Sequence, residues 1–209
     1  MDNEFKNKRL PYITISIIII NIIYFIVIYA RGALENSMLL MKYGASIPPF
    51  DIQGDYYRLL TSAFMHFDLK HLANNMIMLY FVGEYVEEAL GKWKYAICYL
   101  LCAVGGNLVS NLYYISADEI IIAMGASGAV FGLAGALDYI VIRNKGHYKN
   151  LSIQRVIIFL ILCIYSGVSN SGINNAAHVG GVITGFLTAI LLYRRKERDS
   201  DFIAMKNIG

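Results

Sequence analysis

The sequence predicts an all-α membrane protein, a bundle of six transmembrane helices with both termini on the cytoplasmic side. Of its 209 residues, 57% are hydrophobic and only 16% are charged, whereas soluble domains are nearer half apolar and a quarter charged. Six apolar runs approach the length needed to cross a bilayer. They lie at roughly residues 11–30, 70–86, 94–115, 127–142, 156–169 and 176–193.

These runs leave too few residues for a separate soluble domain, so we expect residues 1–209 to form one membrane domain with its core at about 10–193. The first run follows basic residues, as a secretory signal does, but it lacks a small-residue cleavage site and is predicted to remain as an anchor. The first loop, the connection at 31–65, is too apolar for a solvated linker and is predicted to pack on, or dip into, the outer leaflet. The turn-rich segment at 169–175 is predicted to be mobile.

The distribution of basic residues predicts the orientation. With both termini cytoplasmic, 14 of the 18 Lys and Arg residues lie on the inner side, as the positive-inside rule requires. The lipid bilayer is therefore the first predicted partner.

Several partner classes are not expected. No basic run is interleaved with aromatic residues in a polar context, so nucleic acid is not a predicted partner. His66 and His71 are five residues apart, which on one helix would put them on poorly matched faces, and no third ligand is near in the sequence. We predict no metal site and no other cofactor. The sequence does not indicate an oligomeric state.

A serine and a histidine lie at matching depths in two of the predicted spans. Ser127 is 16 residues from Arg143, the first charge at the inner side, and His178 is likewise 16 residues from Arg194. At about 1.5 Å per residue, both side chains lie roughly 24 Å above the inner interface, below the outer surface of a hydrocarbon core of about 30 Å. Polar groups are costly at that depth unless they are used or satisfied.

Small residues would allow these two helices to approach closely. Glycines follow Ser127 on one face of the fourth span, and glycines follow His178 on one face of the sixth, in both cases at spacings of three and four residues. They are Gly128, Gly132 and Gly135 in the fourth span, and Gly181 and Gly185 in the sixth. Packing alone explains the glycines but not a histidine in the same row.

The chemistry that this pair favours is nucleophilic catalysis. A serine hydroxyl is a weak nucleophile until a base removes its proton, and His178 is the candidate base. Asp138 lies about three turns deeper than Ser127, so a Ser-His dyad is predicted rather than a triad. Phe131, one turn after Ser127, could pack under the imidazole and orient it.

Candidate oxyanion donors surround the serine. The backbone N–H groups of Ser127 and Gly128 lie at a helix N-terminus, which favours negative charge. His71 and Asn75 are four residues apart in the second span and share a face, where either could donate a hydrogen bond to an oxyanion. Hydrogen bonding between helices is the alternative role for Asn75.

Together these motifs resemble the rhomboid family of intramembrane serine proteases, in its six-span prokaryotic form, and this resemblance implies a location in the cell membrane. The resemblance rests on Gly-Ala-Ser-Gly at 125–128, Ala-His-x-x-Gly at 177–181 and His-x-x-x-Asn at 71–75, which fall on spans four, six and two in the family's order. Tyr57-Arg58-Leu59-Leu60-Thr61 and Gly83-x-x-x-Glu87 also resemble family segments, although the family usually has Trp where this chain has Tyr57. Arg58 could be either an interfacial anchor or a brace for the first loop.

The resemblance implies that Ser127 is the nucleophile and His178 the base, with Asn75 and His71 around the oxyanion. It also implies that transmembrane proteins are cleaved near their outer ends, and that the fifth span and the 169–175 segment form a gate and a cap. A catalytically silent rhomboid-like protein that binds membrane clients is the main alternative, although this chain keeps both the serine and the histidine. A small transporter is a further alternative, for which an inverted repeat and midplane ionisable groups would be expected.

Overall fold

A computed structural model describes residues 10–158, 160–161 and 173–195 of the chain. The longer helices in these residues are α1 (Tyr12–Ala30), α4 (Leu69–Leu90), α5 (Lys92–Ser116), α6 (Ser127–Arg143) and α7 (Asn175–Leu192), with two short helices, α2 (Ser37–Lys42) and α3 (Arg58–Thr61), in the first connection. Single turns of 3-10 helix lie at Ala33–Glu35, Phe50–Ile52 and Ser62–Phe64. A two-stranded antiparallel hairpin, β1 (His147–Tyr148) and β2 (Leu151–Ser152), follows α6.

The long helices agree with five of the six predicted spans to within a few residues. By length and apolar composition, α1, α5 and α7 are candidate membrane spans within the described residues. The more polar α4 and the 17-residue α6 are not, so the count of six and the side on which the termini lie remain predictions. Of the predicted fifth span at 156–169, residues 156–158 and 160–161 are helical and the rest lies outside the described residues, as does most of the segment at 169–175.

The core is formed where α4, α5, α6 and α7 meet. Every residue of α6 from Gly128 to Asp138 is buried except Phe131, as expected for a helix surrounded by its neighbours. By contrast, α1 exposes a broad apolar surface, including Ile19, Ile23 and Ile26. An apolar helix exposed in this way is compatible with contact to lipid.

Glycines bring α6 and α7 into backbone contact, as the sequence predicts. A Cβ atom on Gly181 would overlap the carbonyl oxygen of Gly128, and one on Gly185 would overlap that of Gly132. On the neighbouring side, a Cβ on Gly132 would collide with Cys102 of α5. No side chain larger than hydrogen fits at these crossings, so the glycine pattern determines how α6 seats against α7.

Side chains satisfy the first N–H groups of several helices. Asp68 accepts the N–H of His71 at 2.7 Å and begins α4, and Asn174 accepts the N–H of Ala177 at 3.0 Å and begins α7. The start of α1 is capped from a distance, since the buried Glu87 of α4 accepts the N–H groups of Ile13 and Thr14 at 3.0 and 2.8 Å. These caps satisfy donors that a helix leaves unpaired.

Glu87 therefore joins α1 to α4. The hydroxyl of Thr14 also donates to the Glu87 carboxylate, at 2.8 Å, and Glu87 is only 5% exposed. We predict that Glu87→Gln lowers the free energy of unfolding by about 1–3 kcal/mol, because an amide presents one acceptor where the carboxylate presents two. Unfolding in mixed detergent micelles, followed by circular dichroism, measures this change.

Glu88 is the matched control. It is adjacent in the sequence, but its carboxylate pairs with Lys149 at an exposed position. Glu88→Gln is expected to change the unfolding free energy by less than about 1 kcal/mol. Equal effects of the two substitutions would contradict the proposed difference between a buried cap and a surface ion pair.

Candidate active site

The start of α6 presents free backbone donors. Ala126, the residue that precedes the helix, forms no side-chain capping bond, in contrast to Asp68 and Asn174. The N–H groups of Ser127 and Gly128 have no hydrogen-bond acceptor among the described residues. Two adjacent free N–H groups at a helix N-terminus form a natural site for a negative charge.

The residues just before Ser127 are held by other parts of the fold. Ser46 and Ala123 exchange two backbone hydrogen bonds of 2.9 Å. Further along, the N–H of Gly125 donates to the carbonyl of Ser62 at 3.0 Å, and the N–H of Ala126 lies 3.4 Å from Nε2 of His66. The irregular backbone that leads to Ser127 is therefore anchored at three points, as the prediction that it lies at membrane depth requires.

His66 accepts this hydrogen bond only as a neutral imidazole. The side chain is fully buried, and this burial, reinforced by the nearby His71, lowers the pKa of His66 to about 3. At neutral pH its ring is uncharged. His66 thus supports the backbone before Ser127.

His66 and His71 contact each other, which corrects the expectation that they lie on poorly matched faces. Their ring centroids are 5.1 Å apart in an edge-to-face arrangement. The expectation assumed that both residues lie on one helix. It was wrong because α4 begins only at Leu69, so His66 lies before the helix and its position does not follow helical periodicity. Within the described residues, no group of three or more His, Cys, Asp or Glu side chains has the arrangement of a metal site.

His71 and Ser127 flank Gly125. The position of a Cβ on Gly125 would be 3.0 Å from Nε2 of His71 and 3.7 Å from Oγ of Ser127. Gly125 has φ +148, which L side chains rarely adopt. Gly125 is therefore required both for its backbone conformation and for the space that lets the imidazole approach the serine.

Asn75 is 6% exposed and lies one turn after His71. Its amide nitrogen donates to the carbonyl of His71 at 3.0 Å. An Asn amide has two N–H donors, so one remains for a ligand while the other fixes the side chain. The alternative role, a bond from Asn75 to another helix, is not formed among the described residues.

His178 lies in the first turn of α7, against α6. Its ring stacks on Phe131 with centroids 4.0 Å apart and planes inclined by 6°, and it is 6% exposed. The adjacent Ala177 carbonyl is 3.5 Å from the Cβ position of Gly128. The chain neighbours of His178 and Ser127 therefore touch, and Phe131, one turn after Ser127, contacts the imidazole itself.

A polar row on α5 connects the elements around this site and was missed from the sequence. Asn107 donates to the carbonyl of Leu59 at 2.8 Å and to Oγ of Ser62 at 2.9 Å. Ser110 accepts from Asn174, the cap of α7, at 2.7 Å. Asn111 donates to Asp51 of the first loop at 2.8 Å. The spacing of Asn107, Ser110 and Asn111 along one face of an apolar helix was the available signal.

Arg58 braces the first loop, which decides between its two predicted roles. Its guanidinium donates to the carbonyls of Met41 and Ala45 and to the carboxylate of Asp55 at 2.8 Å. It also lies over the ring of Tyr57, 5.1 Å from the centroid. Asp138 is buried in α6 with one unpartnered carboxylate oxygen and makes no described contact with the groups around Ser127.

Comparison with known proteins identifies the family. The family model for the Rhomboid domain matches residues 53–195, which include Ser127, His178, His71 and Asn75. The chain is 33% identical over 190 residues to Rhomboid protease GluP of Bacillus subtilis (strain 168), covering 90% of this chain and 36% of that protein. It is 30% identical over 201 residues to Rhomboid protease AarA of Providencia stuartii, covering 85% of this chain and 71% of that protein.

A plant relative shows similar identity over a shorter stretch. RHOMBOID-like protein 4 of Arabidopsis thaliana is 36% identical over 162 residues, covering 77% of this chain and 40% of that protein. The chain thus spans little more than a third of the length of GluP and about two fifths of the plant protein. The matched family domain and these relatives, together with the apolar helices, show that the chain is a membrane protein of the rhomboid family.

Proposed function

We propose that this protein is an intramembrane serine endopeptidase that cleaves transmembrane proteins near the outer face of the cell membrane. The observation that carries the proposal is the junction of α6 and α7. Ser127 is the first residue of α6, and its own N–H and that of Gly128 are free. The ring of His178 stacks on the ring of Phe131 in the same helix. The relatives named as rhomboid proteases support the same reaction class.

The first step is attack by the serine on a peptide carbonyl. His178 removes the proton from Oγ of Ser127 as Oγ bonds to the carbonyl carbon, which gives a tetrahedral intermediate with a negative oxygen. The stacked Phe131 ring restricts the imidazole to one plane. No carboxylate is needed for this orientation, consistent with a dyad rather than a triad.

The negative oxygen is stabilised by donors already in position. The N–H groups of Ser127 and Gly128 are oriented by α6, and Asn75 and His71 supply side-chain donors from α4. Donors held in position before reaction lower the barrier, because they need no reorganisation as charge develops. The intermediate then collapses, the C–N bond breaks, and His178 returns the proton to the leaving amine.

The resulting acyl-enzyme is released by water. His178 takes a proton from the water as its oxygen attacks the ester carbonyl, and the proton returns to Oγ of Ser127 when the acyl bond breaks. Ser127 is half-buried rather than sealed, which supports access of water to the ester. The reaction then returns the enzyme to its starting state.

The decisive test is reaction of the purified protein with a fluorophosphonate probe. We predict that the wild type is labelled and that Ser127→Ala and His178→Ala are not, because one lacks the nucleophile and the other its base. Ser116→Ala and His147→Ala are matched controls, each at an exposed or solvent-facing position, and should react as the wild type does. A folded wild type without labelling would favour the client-binding alternative.

Removal of a side-chain oxyanion donor should slow the reaction without stopping it. We predict that Asn75→Ala lowers the rate of substrate cleavage by about 100-fold, a typical cost for one lost donor, with the backbone donors still present. Asn74→Ala is the control, since Asn74 is adjacent but exposed. An unchanged rate for Asn75→Ala would contradict the assignment of Asn75 to the oxyanion.

The space at Gly125 should also matter. We predict that Gly125→Ala lowers the rate of labelling of Ser127 by about tenfold or more, because the new methyl displaces His71 and misplaces the reacting groups. Gly91→Ala is the control for backbone strain alone, since Gly91 has φ +80 and nothing lies within 4 Å of its Cβ position. Equal losses in the two variants would mean that strain, and not the contact with His71, is responsible.

A further inference from the structure

We propose that Asp51 is a positioning residue, whose buried carboxylate fixes the lead-in segment (residues 121–126) and thereby the nucleophile that follows it. The inference rests on the proposed function of Ser127. Asp51 lies in the first loop and does not contact the reacting groups. It would act through Ser46 and Ala123.

The Asp51 side chain is completely buried and fully hydrogen bonded. Oδ2 accepts from the hydroxyl of Ser46 at 2.5 Å and from the amide of Asn111 at 2.8 Å. Oδ1 accepts the backbone N–H of Ile47 at 2.9 Å. The residue has an exposed fraction of 0%, and within the described part of the chain its carboxylate is bound by these three donors from the first loop and α5.

Ser46 links Asp51 to the lead-in segment. The residue whose hydroxyl binds Asp51 also pairs with Ala123 through both its N–H and its carbonyl, each at 2.9 Å. Ala123 lies four residues before Ser127. Asp51 therefore joins three elements in one junction: the first loop, α5 through Asn111, and the lead-in segment.

The position of this junction favours a role in positioning over a role in stability alone. Ser62 and His66 hold the downstream end of the lead-in segment, at Gly125 and Ala126, and the bridge to Ser46 holds its upstream end. A buried polar group that is hydrogen bonded contributes only modestly to net stability, because it gives up hydrogen bonds to water on folding. It does, however, specify one arrangement of its donors.

The test compares Asp51→Asn with Asp118→Asn in the purified protein. In either orientation, an Asn amide at 51 points its NH2 group at a donor: the Ile47 N–H, or the Ser46 hydroxyl and the Asn111 amide. Asp118→Asn loses the same charge at an exposed position in the connection between α5 and α6. One measurement is hydrogen–deuterium exchange of the peptide that covers 119–126. The other is the reaction with a fluorophosphonate, analysed as kinact and KI.

For Asp51→Asn we expect hydrogen–deuterium exchange in 119–126 to become faster by about tenfold or more. We expect kinact to fall by about tenfold or more, with KI within about twofold of the wild type. Asp118→Asn should match the wild type. Wild-type exchange in folded Asp51→Asn would overturn the proposal, as would faster exchange with unchanged kinact. A change in melting temperature alone, with kinact per folded molecule preserved, would show a structural role and would also overturn it.

Ser46→Ala keeps the test decisive if Asp51→Asn does not fold. It removes the hydroxyl that binds Asp51 but leaves the backbone bridge to Ala123. We therefore expect smaller changes in the same direction, with faster exchange in 119–126 and a lower kinact. The absence of these changes would overturn the proposal. A wild type that does not react with the probe would instead overturn the proposed function. The exchange measurement would then decide by itself whether Asp51 holds the lead-in segment.

Discussion

The backbone contact between α6 and α7 is the constraint on which the rest of the structure depends. Gly128 and Gly132 of α6 lie against Gly181 and Gly185 of α7 so closely that a Cβ on either of the α7 glycines would overlap a carbonyl oxygen. In lipid, helices gain no hydrophobic free energy by associating, so close packing between small residues contributes much of the association. The same contact brings the first turn of each helix, and hence Ser127 and His178, to one junction.

Polar side chains complete the arrangement that the glycines begin. The interior of a helix satisfies its own backbone, but the segment that leads into Ser127 is irregular and needs acceptors from elsewhere. Ser46, Ser62 and His66 provide them. Their positions depend in turn on α5, where Asn107 and Asn111 bind the first connection at two points. The first connection is thus an integral part of the fold.

At the start of α6, free backbone donors lie where the proposed chemistry needs them. The N–H groups of Gly125 and Ala126 are bonded, whereas those of Ser127 and Gly128 are free. A helix that began with Ser, Asp or Asn at its cap would occupy such donors itself. Ala126 at that position leaves them available, and this is consistent with a site that stabilises an oxyanion.

The sequence alone determined the membrane class, the limits of the long helices, the glycine crossing and the candidate residues Ser127, His178, His71 and Asn75. These follow from local signals: apolar length, residue spacing and motifs. Tertiary structure alone decided that Arg58 braces a loop, that His66 contacts His71, and that Asp51 meets Asn111. Each of these depends on where an irregular segment turns, and hydrophobic periodicity carries no information about the direction of a chain outside helices and strands.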